Sequence, residues 1–157
     1  MKNRLMQLVF IMCIIANISY ACPADTEFDK DSRYVLITAN ETQKIYHDTG
    51  YIYTVRASPP YYTIETEVYF VKYDYKLIVN TVYEFYYDTS NQGISVQGIR
   101  GANYKLDGSY IKGSGGNINV PTTKLDKYKV LYWVGVSAFA KKFGEEKAKI
   151  YFGSMPK

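Results

Sequence analysis

Apolar and polar residues alternate with a period of two along most of this chain, a pattern typical of strands with one buried face. The clearest run is 75–87, where the odd positions are mostly aromatic or apolar and the even positions include Lys76 and Glu84. Residues 61–73 alternate in the opposite phase. Asp74 therefore marks either a tight hairpin or a bulge in one long strand.

Further segments also favour strands, and glycine or proline separates most of them. They are residues 33–38, 44–47, 51–57, 93–99, 104–111, 128–137 and 146–152. Many short strands predict an all-β chain, and the unequal loops favour an antiparallel β-sandwich over a closed barrel. At most one short helical turn is expected, near 138–144. Residues 33–157 are therefore predicted to form a single β-sandwich domain.

Two local patterns resemble known sandwich families. Leu77, Thr81 and Tyr83 have a spacing similar to the tyrosine corner of fibronectin type III and related immunoglobulin-like sandwiches. Residues 83–96 followed by 128–152 look like the paired inner strands of jelly-roll carbohydrate-binding modules. These resemblances imply a sandwich of the jelly-roll or fibronectin/Ig-like type.

The first residues have the three parts of a cleavable signal peptide. Lys2 and Arg4 supply the positive start, residues 8–18 supply a short apolar core, and Ser19-Tyr20-Ala21 supplies small residues before a cut. The apolar core is shorter than the about 20 residues that a membrane-spanning helix needs. We therefore expect residues 1–21 to be removed from a secreted, extracellular protein, in which residues 22–32 form a flexible acidic lead-in.

Cleavage would leave Cys22 as the only thiol and would place it at the new N-terminus. An unpaired cysteine in a secreted protein suggests a bond to a second chain, so a dimer through Cys22 is one expectation. The cleavage site also resembles that of bacterial lipoproteins, which carry lipid on such a cysteine. That resemblance implies a chain anchored at a bacterial envelope, and only lipidation would bring it to a membrane.

Export also makes Asn40 a modification candidate. Asn40-Glu41-Thr42 is a valid N-glycosylation sequon. In a eukaryotic secreted chain the sequon would mark a surface position.

The distribution of charge limits the partners. The formal net charge is +4, and Lys2 and Arg4 would leave with the signal peptide. The remainder has too little positive charge for a broad nucleic-acid surface, so no nucleic-acid partner is expected. The basic residues of the C-terminal end are Lys124, Lys127, Lys129, Lys141, Lys142, Lys147 and Lys149. That end is either a docking face for an acidic partner or a solvated face that keeps the protein soluble.

Residues that could catalyse a reaction are few. His47 is the single histidine and precedes Asp48 and Gly50, a context that predicts a turn histidine rather than a catalytic base. Glu65 and Glu67 share one face of a predicted strand, about 7 Å apart, which would suit glycoside hydrolysis only across a cleft. No enzymatic activity, cofactor or metal site is therefore predicted.

The most informative feature of the composition is the large number of tyrosines, 18 in the chain. Tyrosine favours strands, so much of this excess should be core packing. Four tyrosines share a predicted strand face with charged residues and are candidates for an exposed patch: Tyr61, Tyr69, Tyr73 and Tyr86. Such a patch could bind carbohydrate or an extracellular protein. The alternative is that a second sheet covers this face.

The sequence therefore predicts a secreted, non-catalytic binding or interaction module. Two alternatives stay open. One is a surface-anchored structural protein or lipoprotein held through Cys22. The other is a carrier of apolar ligands, which requires the strands to close into a barrel.

Overall fold

A computed structural model describes residues 22–114 and 122–154. The predicted signal peptide, residues 1–21, lies outside the described residues. The described chain is mostly antiparallel β-sheet, with 53% of it in strands and 21% in helices. The prediction of a mostly β fold is therefore confirmed.

One open, seven-stranded sheet organises the described residues. Its strands are β1 (Tyr34–Ala39), β2 (Gln43–Ser58), β3 (Tyr61–Lys72), β4 (Leu77–Asp88), β5 (Gly93–Lys105), β6 (Tyr110–Ser114) and β7 (Thr123–Leu125). The helices are α1 (Asp25–Phe28), α2 (Val130–Phe143) and α3 (Glu145–Phe152). Strands β1 to β6 follow one another in chain order. Both β6 and β7 pair with β5, at opposite ends of that strand.

The two strongest alternating segments form the centre of the sheet. Strands β3 and β4 pair without a register shift, from Tyr61 opposite Asp88 to Lys72 opposite Leu77. Residues 73–76 form the turn between them. The phase change that the sequence shows at this point is therefore a hairpin and not a bulge.

Strand β2 joins two segments that the sequence predicted as separate strands, 44–47 and 51–57. Its register against β3 shifts between Asp48 and Ile52, and again between Thr54 and Arg56. A bulge changes which face the following residues occupy, so the alternation is interrupted along β2. The predicted strand at 104–111 is wrong in its bounds, because it spans the end of β5, a turn and the start of β6.

The second layer of the fold is helical. The predicted strands at 128–137 and 146–152 are wrong, since residues 130–137 lie in α2 and residues 146–152 lie in α3. The expectation of at most one short helical turn near 138–144 is wrong as well, because these helices have 14 and 8 residues. The buried side of α2 contains Tyr132, Val136 and Phe139, at the spacings of three and four that define a helix face. Burial of this face against the sheet outweighs the strand preference of its β-branched and aromatic residues. Within the described residues these helices stand where the second sheet of a sandwich was expected.

Glycine controls how α2 packs and where it ends. A Cβ atom at Gly135 would lie 2.8 Å from Cδ1 of Phe85, so only glycine lets the helix approach the sheet this closely. Gly144 ends α2 with φ of +101°, a conformation that favours glycine. Lys142 in the last turn of α2 and Glu145 in the first turn of α3 both complement the helix dipoles.

Residues 22–32 pack against the sheet and do not form the predicted flexible lead-in. The side chain of Phe28 is fully buried among Tyr34, Tyr46 and Tyr69. The backbone N–H of Asp25 donates a hydrogen bond of 2.8 Å to the carbonyl of Leu106. Asp29 also accepts hydrogen bonds of 2.7 Å from Lys44 and from the Tyr46 hydroxyl, so polar contacts join Phe28 in holding this acidic segment on the sheet.

The two faces of the sheet are thus covered differently. The helix face carries Ile64, Val68 and Phe85 and packs against α2 and α3. The opposite face, called the tyrosine face, includes Tyr61, Tyr69 and Tyr86 and lies partly under the N-terminal segment. The tyrosine face is where the sequence placed its candidate patch.

Candidate functional site

The N-terminal segment divides the tyrosine face into a covered half and an open half. Tyr69 is only 5% exposed, and its ring centroid lies 5.1 Å from that of Phe28. Tyr73 is half-buried, and its hydroxyl donates a hydrogen bond of 3.1 Å to Asp25. Tyr69 and Tyr73 therefore belong to the covered half. The prediction that these two join an exposed patch fails because Phe28 and Asp25 occupy the surface above them.

The other two predicted tyrosines, Tyr61 and Tyr86, lie in the open half. Tyr61 is 46% exposed and Tyr86 is half-buried. Both line a concavity of about 260 Å³ on the tyrosine face, with Ser95 and Lys124 among its other walls. The guanidinium of Arg56 lies 5.4 Å from the ring centroid of Tyr61, within the range of a cation–π contact. The structure therefore brings Tyr61 and Tyr86 together at a surface that a ligand can reach.

Polar side chains fix the orientation of the Tyr86 ring. Its hydroxyl donates a hydrogen bond of 2.5 Å to Oε2 of Glu84, and it lies 3.2 Å from Oε1 of Gln97. Partial burial, followed by the adjacent Glu84 carboxylate, raises the pKa of Tyr86 to about 12. Glu84 and Gln97 are register partners on β4 and β5, so neighbouring strands hold both groups.

A second polar cluster lies farther along the open half. The hydroxyl of Tyr51 donates a hydrogen bond of 2.7 Å to Glu65, and Arg100 lies 3.2 Å from the same carboxylate oxygen. Arg100 also contacts the Tyr51 hydroxyl and stacks near its ring. Burial raises the pKa of Tyr51 to about 12, and its bond to Glu65 acts in the same direction. Tyr51 and Arg100 border a concavity of about 370 Å³, which Tyr53 and Glu67 also line.

The sequence pattern did not single out Tyr51, Tyr53 or Arg100. Tyr51 lies within the first register shift of β2, between Asp48 and Ile52, and Tyr53 lies between the first shift and the second. Arg100 lies next to a register shift in β5, beside the unpaired position of Ile99. Strand periodicity could not have assigned these residues to a face, because bulges change the face without a sequence signal of their own.

A half-buried carboxyl group, that of Glu67, marks the border between the two halves. Glu67 accepts a hydrogen bond of 3.1 Å from the Tyr69 hydroxyl, and burial raises the pKa of its carboxyl. Asp48, fully buried, forms a bidentate ion pair with Arg33, with both N–O distances at 2.6 Å. The Arg33–Asp48 pair neutralises a buried carboxylate and ties the residue before β1 to β2.

His47 is not the turn residue that the sequence predicted. It lies within β2 on the helix face, fully buried, with Nε2 2.8 Å from the Thr66 hydroxyl and Nδ1 3.1 Å from the Ser137 hydroxyl. Burial lowers the pKa of His47 to about 4. The imidazole is therefore neutral at pH 7.

The two predicted modification sites differ in access. Cys22 is buried, and burial raises the pKa of its thiol to about 12. That environment disfavours a disulfide to a second chain, because the reactive thiolate is neither formed nor exposed. Asn40 is exposed at the β1–β2 turn, where its side-chain oxygen accepts hydrogen bonds from Thr42 and Gln43. Its amide nitrogen takes part in none of these bonds, so a glycan could be attached there.

The described residues hold no group of three or more His, Cys, Asp or Glu side chains that could bind a metal ion. None of the helices described is both long and apolar enough to span a membrane. The chain matches no protein-family model, no curated protein and no solved structure.

Proposed function

We propose that this chain is a secreted binding module that recognises carbohydrate through the open half of the tyrosine face, without catalysing a reaction there. The observation that carries the proposal is the arrangement of Tyr61 and Tyr86. Their accessible rings border one concavity, and fixed polar groups stand beside them. Export directed by residues 1–21 is part of the same proposal.

The chemistry of this surface favours a polyhydroxyl ligand. Aromatic rings bury the apolar face of a sugar at little entropic cost, and Tyr86 is already fixed by its bond to Glu84. The carboxylates and the guanidinium of the neighbouring cluster can bond hydroxyl groups as donors or acceptors. The hydroxyl groups of a sugar lie close together, and each can both donate and accept a hydrogen bond.

The balance of charge supports an uncharged ligand. Around the open half the positive groups include Arg56, Arg100 and Lys124, and the negative groups include Glu65, Glu84 and Asp88. Arg33 and Glu67 line the second concavity and add one basic and one acidic side chain. A nearly neutral surface of this kind gives no strong steering toward a polyanion. A neutral oligosaccharide is therefore a better fit than a sulfated chain or a nucleic acid.

Glycan-array screening of the protein made from the full chain, followed by calorimetric titration of a glycan that binds, tests the proposal. Stacking on one ring contributes about 1 kcal/mol, so Tyr61→Ala and Tyr86→Ala should each weaken binding by about fivefold to tenfold. Tyr75→Ala is the matched control, because Tyr75 is exposed in the β3–β4 turn and outside the open half.

Three outcomes would contradict the proposal. The first is the absence of any bound glycan, and the second is a glycan whose affinity neither Tyr61→Ala nor Tyr86→Ala changes. The third is a protein partner that depends on the same two tyrosines, which would assign the open half to protein recognition.

A further inference from the structure

A separate concavity of about 580 Å³ lies at the edge of the helix face, between β1, α2 and α3. Its volume is within the range of small-molecule sites, about 300–1,000 Å³. Its floor is apolar and includes Val35, Val136, Ala140 and Ala148. We call it the helix-edge concavity. It lies on the opposite side of the sheet from the tyrosine face, so the proposed function does not involve it.

Two lysines stand at the rim of this concavity. Lys141 lies in the last turn of α2 and Lys149 in the last turn of α3, and Glu145 is the one acidic residue among the lining side chains described. Neither lysine takes part in an ion pair within residues 22–114 and 122–154. The rim therefore carries an excess of positive charge beside an apolar floor.

A hydrogen-bonded chain from the core ends at the same concavity. The Thr66 hydroxyl donates to the carbonyl of Tyr51 at 2.8 Å, so its oxygen accepts the N–H at Nε2 of His47. With Nε2 protonated, Nδ1 of His47 accepts the proton of the Ser137 hydroxyl at 3.1 Å. Ser137 lines the concavity, so its remaining lone pairs provide a polar anchor at the floor.

This chain does not form a catalytic serine site. A nucleophilic serine needs a base that accepts its proton, and burial lowers the pKa of His47 to about 4. Thr66 is neutral and does not offset the charge of a buried imidazolium as a carboxylate would. His47 therefore holds Ser137 in position, and the helix-edge concavity is suited to binding.

We infer that the helix-edge concavity binds a small amphiphile with a carboxylate and an alkyl chain, such as a fatty acid. The carboxylate lies at the ammonium groups of Lys141 and Lys149, and the alkyl chain covers the floor formed by Val136, Ala140 and Ala148. Charge complementarity selects the head group, and apolar burial supplies most of the affinity. This inference also explains part of the basic excess at the C-terminal end without requiring an acidic macromolecule. It needs no closed barrel, which the open sheet does not provide.

Calorimetric titration of the full chain with dodecanoate tests this inference, and dodecanol serves as the uncharged comparison. The double variant Lys141→Gln/Lys149→Gln should weaken dodecanoate binding by about tenfold and leave dodecanol binding nearly unchanged. The matched control is Lys142→Gln/Lys147→Gln. It removes the same charge from the same two helices at positions that do not line the concavity. Ala140→Leu fills the floor and should abolish binding of both ligands.

The inference would be overturned if wild-type protein bound no dodecanoate or bound dodecanol equally well. Equal weakening in both double lysine variants would also overturn it, since binding would then follow net charge alone. A stable dimer in sedimentation that excludes dodecanoate would assign the helix-edge concavity to a second copy of the chain. Thermal unfolding of each variant confirms that the fold is retained.

Discussion

Replacing Phe28 by alanine tests whether the N-terminal segment is an integral part of the fold. Phe28 is fully buried, and its ring centroid lies 4.8 Å from that of Tyr46 and 5.1 Å from that of Tyr69. Truncating a buried phenylalanine to alanine costs about 3–5 kcal/mol. We expect Phe28→Ala to lower the free energy of unfolding by about 3 kcal/mol, at the low end because a short terminal segment can adjust.

Two assays separate the global effect from local undocking. Urea unfolding followed by circular dichroism measures the stability of the whole fold. Reaction of Cys22 with a thiol reagent measures exposure of the segment, because this thiol is buried beside the same cluster and its pKa is raised to about 12. Labelling of wild-type protein at pH 8 should be slow, and Phe28→Ala should accelerate it by about tenfold or more.

The control for this experiment is Tyr75→Ala, which removes an exposed aromatic side chain from the β3–β4 turn. It should change the urea midpoint and the rate of Cys22 labelling very little. If Phe28→Ala left both quantities at their wild-type values, the division of the tyrosine face into covered and open halves would be refuted.

Other predictions concern the core and the surface. Folding lowers the pKa of His47 from 6.5 to about 4, so stability should be fully present above pH 6.5 and lost as the pH falls toward 4. The loss should amount to about 3 kcal/mol, and His47→Gln should flatten this part of the pH–stability profile. Gly135→Val should lower the free energy of unfolding by about 1–3 kcal/mol, because a Cβ atom there would meet Phe85 at 2.8 Å. Expression in a eukaryotic host should add a glycan at Asn40. The intact mass of wild type should then exceed the mass of its polypeptide, whereas that of Asn40→Gln should not; equal glycan mass on both would contradict the prediction.

Strand periodicity predicted the centre of the sheet because two long segments alternate without interruption. Strands β3 and β4 pair in one continuous register, and this register sets Thr63 opposite Tyr86 and Glu65 opposite Glu84. One face therefore carries the predicted tyrosines and their acidic neighbours. Where no bulge interrupts a strand, the alternation of apolar and polar residues correctly indicates which face of the sheet each residue occupies.

The covered half could not be predicted in the same way. Phe28 is a single aromatic residue in an acidic segment, and no other large apolar side chain lies between residues 23 and 33, so no apolar period marks it as buried. Its burial depends on a site formed by Tyr34, Tyr46 and Tyr69, which the sheet assembles from distant parts of the sequence. Long-range packing of this kind leaves no local pattern.

The helical layer was missed because residues 130–136 have the composition of a strand. Propensity is a weak guide where one face of a segment is buried against a sheet. The helix ends did carry a usable signal. Lys141 and Lys142 precede Gly144, and Glu145 follows it, which is the charge order of one helix ending and another beginning.

Chemical-shift mapping during titration with a bound glycan is the most direct test of the proposed function. Binding through the open half predicts that the shifts concentrate at Tyr61, Tyr86 and their neighbours Glu84, Ser95 and Gln97. The covered half and α2 should remain unperturbed. Shifts centred on α2 and α3, or no saturable shifts with any glycan, would contradict recognition of carbohydrate through the open half of the tyrosine face.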